Sequence, residues 1–365
     1  MKWSWKVARI AGIDVFIHST FLILIAWIGF SYWITQRSLI AVANGVIFIL
    51  LLFLIVLMHE FGHSLAAKKF GISTRDITLL PIGGLSRLER MPKVPKHELW
   101  VALAGPLVNV VLAAIFFVWL YLTGGLSNIT NTTVVEGTLL QRVAYANMIL
   151  LLFNLIPAFP MDGGRVLRAF LAMRMEYTQA TQTAATIGQG FALIFGLVGL
   201  LFNPFLIFIA FFVWIGASQE SSSVQVKEAL SGIPIKRAML TQFQTLDYNQ
   251  RLSDAADAIL TGYQQEFPVM KGDEMVGILT RSALVKGLAK DGPTANIASA
   301  MDKSFVTADA NEMLEIVSER LQDCGCHTVP IFDNEQLVGL VTMENIGEFL
   351  MIQSAIKRSS NPRAV

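Results

Sequence analysis

The pentapeptide His59-Glu60-Phe61-Gly62-His63 puts two imidazoles and a carboxylate inside one apolar stretch of the chain. On a helix, positions i and i+4 share a face, so both rings can reach a single metal ion while Glu60 stays beside the open coordination position. The chemistry this suits is hydrolysis by metal-activated water, with Glu60 as general base. A catalytic zinc needs a third protein ligand, and Asp162 is the candidate. It lies in Asn154-Leu155-Ile156-Pro157-Ala158-Phe159-Pro160-Met161-Asp162-Gly163-Gly164, where two prolines break a helix and two glycines permit a tight turn. The competing reading is a satisfied polar cluster between helices with Asp162 as a solvated turn residue. It leaves unexplained why ionisable groups persist at membrane depth, where they are costly.

The elements that must carry these groups are membrane helices. The chain has 365 residues, of which 54% are hydrophobic and only 15% charged, a balance outside the range of ordinary soluble domains. Apolar runs near 16–34, 40–58, 99–122, 143–160, 185–202 and 204–217 each approach the ~20 residues needed to cross a bilayer, which predicts about six transmembrane helices. Asn203 and Pro204 leave open whether the last two runs form a hairpin or one kinked helix. Lys68, Lys69, Arg75, Arg87, Arg90, Lys93 and Lys96 follow the second run, and Arg165, Arg168 and Arg174 follow the fourth. This bias predicts a cytoplasmic N-terminus, with His59, His63 and Asp162 all near the cytoplasmic boundary. The basic start, residues 1–16, leads into a retained first span. Cys324 and Cys326 are too few for a structural zinc site and are read as incidental thiols. His18 is read as hydrogen-bonded between helices, His97 as interfacial and His327 as structural, none of them as a ligand, and Asn109 as an amide bonded to a neighbouring helix.

The apolar character ends near residue 217, and the predicted boundaries are a membrane domain over 1–217, a polar linker over 218–230, two repeat units over 231–292 and 293–355, and a tail over 356–365. The units repeat at an offset of 62 residues: Met239 maps to Met301, Thr245 to Thr307, Leu252 to Leu314, Pro268 to Pro330, Gly277 to Gly339 and Thr280 to Thr342. Each reads as helix, strand, Gly-containing turn, strand, helix, an α/β module. With this pattern the repeats resemble a tandem pair of CBS domains. That resemblance implies an adenine-nucleotide site, such as one for ATP, at Thr280, Thr342 and Asn345. The Asp that usually follows the Thr by three residues is replaced by Ala283 and Asn345, so a dimerisation or substrate-docking platform stays open beside the sensor.

His-Glu-Phe-Gly-His in one span and the Asn154–Gly164 motif after a later one resemble the site-2 protease family of intramembrane metalloproteases. The resemblance implies one Zn2+ per chain on His59, His63 and Asp162, with Glu60 catalytic. It also implies that Asn154 contacts substrate or holds a loop near the site. Gly83 and Gly84, in Leu79-Leu80-Pro81-Ile82-Gly83-Gly84-Leu85, resemble the family's Gly-Gly loop; the segment is either an extended edge that pairs with substrate backbone or a plain amphipathic turn. Implied partners are a single-span membrane protein as substrate, the lipid bilayer and a second copy through the CBS pair, with no nucleic acid. The implied location is a prokaryotic cell membrane. The alternative function is a membrane transporter or channel regulated by the CBS pair.

Overall fold

In hydrocarbon a chain must satisfy its own backbone polar groups, which long apolar runs do by forming helices. The computed structural model describes residues 3–92, 94–125 and 137–360 and divides into two units, Met1–Val224 and Gln225–Val365. The first unit contains α1 (Ser19–Gln36), α2 (Leu39–Lys69), α3 (Pro95–Leu122), α4 (Leu139–Asn154), α5 (Asp162–Ala172) and α6 (Tyr177–Leu201), and α7 (Phe205–Leu230) starts in it. Five of these, α1, α2, α3, α6 and α7, are long and apolar enough to cross a membrane. The fourth expected span is the shorter apolar helix α4, which stops at Asn154 rather than near 160 because Pro157 and Pro160 follow. Ile23, Trp27, Val118, Leu197 and Phe208 are exposed on these helices, as an apolar solvent permits.

Asn203 and Pro204 separate two helices. Ala192 and Val213 share a buried cluster, and Gly199 lies against Ile207, so α6 and α7 form an antiparallel hairpin. The segment expected as a linker, 218–230, is instead the end of α7. Polarity alone does not stop a helix, and this stretch lacks Gly and Pro until residue 232.

A four-stranded sheet, of which the sequence reading offers only an extended edge within 79–85 as one of two alternatives, accompanies the helices. Strands β1 (Ser4–Ile10), β2 (Ile13–His18), β3 (Thr74–Leu80) and β4 (Gly83–Leu88) lie in the order β1-β2-β3-β4. Parallel pairing of β2 with β3 sets Val15 opposite Ile77 and Ile17 opposite Leu79, and Ile13, Val15, Ile77 and Leu79 are buried. His18 caps α1, its Nδ1 bonded to Thr20 Oγ1 at 2.8 Å, rather than bridging helices. The sheet order leaves β4 at an edge, beside α2.

In the second unit each repeat gains a short strand. The first contains β5 (Leu246–Asp247), α8 (Leu252–Thr261), β6 (Glu266–Lys271), β7 (Glu274–Thr280) and α9 (Arg281–Asp291). The second contains β8 (Ala308–Asp309), α10 (Leu314–Cys324), β9 (Thr328–Asp333), β10 (Gln336–Thr342) and α11 (Met343–Ser360). Cys324 and Cys326, expected as thiols, are joined as a disulfide. The lead-in segments are exchanged. Ile235 packs with Leu314, Val329 and Ile331 in the core of the second repeat, whereas Ile297 and Met301 pack with Leu252, Phe267 and Val269 in that of the first. Backbone bridges Leu240 to Leu340 and Asp302 to Ile278 complete the exchange. The offset of the repeat fixes its period but not which core each segment covers, so the two cores cross the boundary drawn between residues 292 and 293.

Candidate active site

His59 and His63 lie one turn apart on α2, and both are buried. Their Nε2 atoms are 3.1 Å apart, and Asp162 Oδ2 lies 3.0 Å from the first and 3.1 Å from the second. Three donors on a tetrahedral zinc with bonds near 2.0 Å would stand about 3.3 Å apart, so the spacing suits one shared ion. Two nitrogens and one carboxylate oxygen are also a donor set that zinc accepts in hydrolytic sites.

The surroundings favour that use. His63 Nδ1 lies 2.8 Å from the carbonyl of Val101 on α3; a carbonyl only accepts, so Nδ1 carries the proton and Nε2 is free as a ligand. One turn further along α3, a Cβ on Gly105 would stand 2.3 Å from His63 Nε2 and 2.7 Å from His59 Nε2. Glycine there keeps clear the space an ion would fill. Asp162 is the first residue of α5, reached through a cis Phe159–Pro160 bond. Gly163 and Gly164 belong to the first turn of α5 rather than to a tight turn. Their missing side chains admit the carbonyls of Ile156 and Ala158, which a Cβ would meet at 2.2 and 2.9 Å.

Glu60, which follows His59 on α2, is half-buried against the sheet. A Cβ on Gly84 would approach Glu60 Cγ to 2.6 Å and Val56 Cγ1 to 3.0 Å, so the start of β4 lies against the Glu60 side chain. Gly83 precedes it, at the turn from β3. Asn154 ends α4 and makes none of the hydrogen bonds at His59, His63 or Asp162. Asn109 is fully buried, but its amide has no partner among the described residues; its backbone carbonyl accepts from Asn147 of α4 at 2.9 Å. Sequence reasoning missed Val101 and Gly105. A glycine in the apolar run of α3, just before Pro106, was the available signal for the second.

The remaining candidates lie in the second unit. Thr280 Oγ1 accepts from the backbone of Ala283, capping α9. Thr342 Oγ1 accepts from the backbone of Asn345 and donates to its Oδ1 at 2.7 Å. The Asn345 side chain is thus engaged with the cap of its own helix.

An apolar helical unit carrying a buried His-Glu-x-x-His pair and a matching aspartate defines a membrane metallopeptidase. A family model described as Peptidase family M50 matches residues 47–198, and a CBS domain model matches residues 235–290 and 297–351. Zinc metalloprotease MJ0392 of Methanocaldococcus jannaschii is 33% identical over 348 residues, covering 95% of this chain and 96% of that protein. Stage IV sporulation protein FB of Bacillus subtilis is 30% identical over 149 residues, 40% of this chain and 48% of that one. The solved structure of a site-2 protease from Methanocaldococcus jannaschii shares 39% identity, covering 60% of this chain and 95% of that chain with a TM-score of 0.44. The chain belongs to peptidase family M50, the site-2 protease family, and carries a tandem CBS pair. It is a zinc metalloprotease and a multi-pass membrane protein, which sets the transporter or channel alternative aside.

Proposed function

We propose that the protein hydrolyses peptide bonds of single-span membrane proteins, with His59, His63 and Asp162 holding one zinc ion and Glu60 as general base. The observation that carries this reading is the meeting of three buried donor atoms, within 4.8 Å of one another, beside a glutamate on the same apolar helix. A zinc ion bound there supplies Lewis acidity toward water and the scissile carbonyl. Glu60 accepts the proton of the attacking water and returns it to the leaving amine. The His63 proton is retained at Nδ1 by Val101, which keeps the ring oriented throughout.

A helical substrate hides its carbonyls in its own hydrogen bonds and must be unwound before attack. The outer edge of β4 has no strand partner among the described residues and starts at Gly83 and Gly84 beside Glu60, which supports its use as a template that pairs with an extended substrate segment. Asn154 is assigned to the same substrate region through the family motif. The basic segments after α2 and α4 support a cytoplasmic site, N-terminus and CBS pair in a prokaryotic cell membrane. The CBS pair modulates activity, with an adenine nucleotide at Thr280, Thr342 and Asn345 or a second copy of the chain as the effector; ATP binding to the intact protein at millimolar nucleotide tests the first.

Co-expression with candidate single-span proteins tests the main reading. Cleavage is expected with the native chain and not with Glu60→Gln. Cleavage that persists in Glu60→Gln points to another protease and removes Glu60 from the mechanism.

A further inference from the structure

Six residues along α5 from Asp162, about 9 Å of helix, lies a buried charge cluster that hydrolysis does not use. Arg168 is fully buried. Its Nε donates to Glu98 Oε1 of α3 at 2.7 Å, and its Nη1 donates to Glu220 Oε1 of α7. The guanidinium also lies 5.1 Å from the ring centroid of Phe159 and 5.0 Å from that of Tyr177, the first residue of α6. A single side chain therefore ties α5 to α3, α6 and α7.

Burying a guanidinium is unfavourable unless its partners are well placed, and apolar residues fill such a volume at no electrostatic cost. What the charge adds is direction. Phe159 lies three residues before Asp162 and Arg168 six after it, so contact between them closes the chain around the carboxylate. Gly216 of α7 seats Pro160 in the same turn; a Cβ there would stand 2.7 Å from Pro160 Cδ. On α3, Glu98 stands one turn from Val101, whose carbonyl orients His63. One face of α3 thus holds both halves of the ligand set: His63 through Val101, and α5 through Glu98 and Arg168.

We infer that Arg168 is a positioning residue that sets the Asp162 carboxylate against His59 and His63, with Glu98 as its anchor. The inference rests on the assignment of those three residues as ligands. It is tested on the full-length protein in nanodiscs with Arg168→Lys, Arg168→Met, Glu98→Gln and Asp162→Asn. The readouts are zinc affinity by chelator competition, the visible spectrum of the Co2+-loaded form, and helicity with thermal unfolding. Lysine keeps the charge but not the planar fork, so Arg168→Lys decides the matter where Arg168→Met fails to fold. The expected result is a folded Arg168→Lys protein whose zinc affinity falls about ten-fold or more and whose Co2+ bands shift, with Glu98→Gln changing both in the same direction. Native affinity and native Co2+ bands in Arg168→Lys, with affinity lost in Asp162→Asn, overturn the positioning role and leave the ligand assignment standing. Native affinity in Asp162→Asn removes the ligand assignment itself, and the inference with it.

Discussion

Gly84 at the start of β4 lies against the side chain of Glu60, close enough that a Cβ would come within 2.6 Å of Cγ. The proposed general base and the strand edge proposed to receive substrate are therefore packed as one surface. Gly84→Ala should displace Glu60 without touching His59, His63 or Asp162, the proposed zinc ligands. Cleavage is expected to fall about 10²-fold, the cost of displacing a reacting group by an ångström, with metal content unchanged. Full activity in that variant would show that Glu60 has room to move.

Gly105→Ala should act on the metal instead. The added methyl would stand 2.3 Å from His63 Nε2, so the rings must turn away. Zinc content by mass spectrometry is expected near background while helicity persists. A variant that keeps its zinc would place the ion elsewhere.

Metal and base should also separate by chelation. A strong chelator is expected to stop cleavage by the native protein, and added zinc to restore it. Glu60→Gln should lose about 10² to 10⁴ in rate and retain zinc. Restoration of that variant's activity by excess zinc would mean that its defect lies in metal binding.

Glu266 and Thr328 occupy equivalent places in the two repeats, and the threonine hydroxyl donates to the glutamate carboxylate. Burial pushes the Glu266 carboxyl up from its ordinary value; the nearby His327 opposes the shift and Glu344 adds to it. A carboxyl whose folded pKa is raised stabilises the fold most below its unfolded value, and that contribution is lost as pH rises through the folded value. Amides of β6 and β9 should therefore exchange hydrogen faster as pH climbs above about 4.5, beyond the intrinsic increase. Glu266→Gln should remove this excess; an excess left unchanged assigns it to another group.

Gly339 meets Leu240 O, which a Cβ would approach to 3.0 Å, and Gly277 meets Asp302 O at 2.8 Å. Alanine at either position should destabilise the second unit by about 1–3 kcal/mol, read as thermal unfolding. Gly347 in α11, with open space around it, is the control, and alanine there should be neutral or stabilising by up to about 1 kcal/mol. Equal effects at all three positions would remove the steric explanation.

The spacing of His59 and His63 on a helix, the break before Asp162 and the offset of the repeats were all legible because each is a local period or a local interruption. The sheet was not. Pairing β2 with β3 joins segments some 60 residues apart, and the apolar Trp5, Val7 and Ile10 of β1 are exposed and lead into a run that reads as a membrane span. The one local hint was the hairpin turn at Ala11 and Gly12, both with positive φ. Arg168 was counted among the charges of a cytoplasmic loop, since composition does not reveal that a lone arginine will find Glu98 seventy residues earlier and Glu220 fifty-two later. The end of α7 was missed because polarity was taken for a break, whereas Gly232 supplies the real one at φ 70°.

The crossing of lead-in segments between the two cores bears on how the second unit is made. A ribosome finishing the first repeat has delivered a core still open where Ile297 and Met301 belong, while Ile235 waits for a partner not yet synthesised. Neither half can close alone. Cutting between residues 292 and 293 would leave two sticky fragments rather than two domains, so the pair should melt as a single cooperative body.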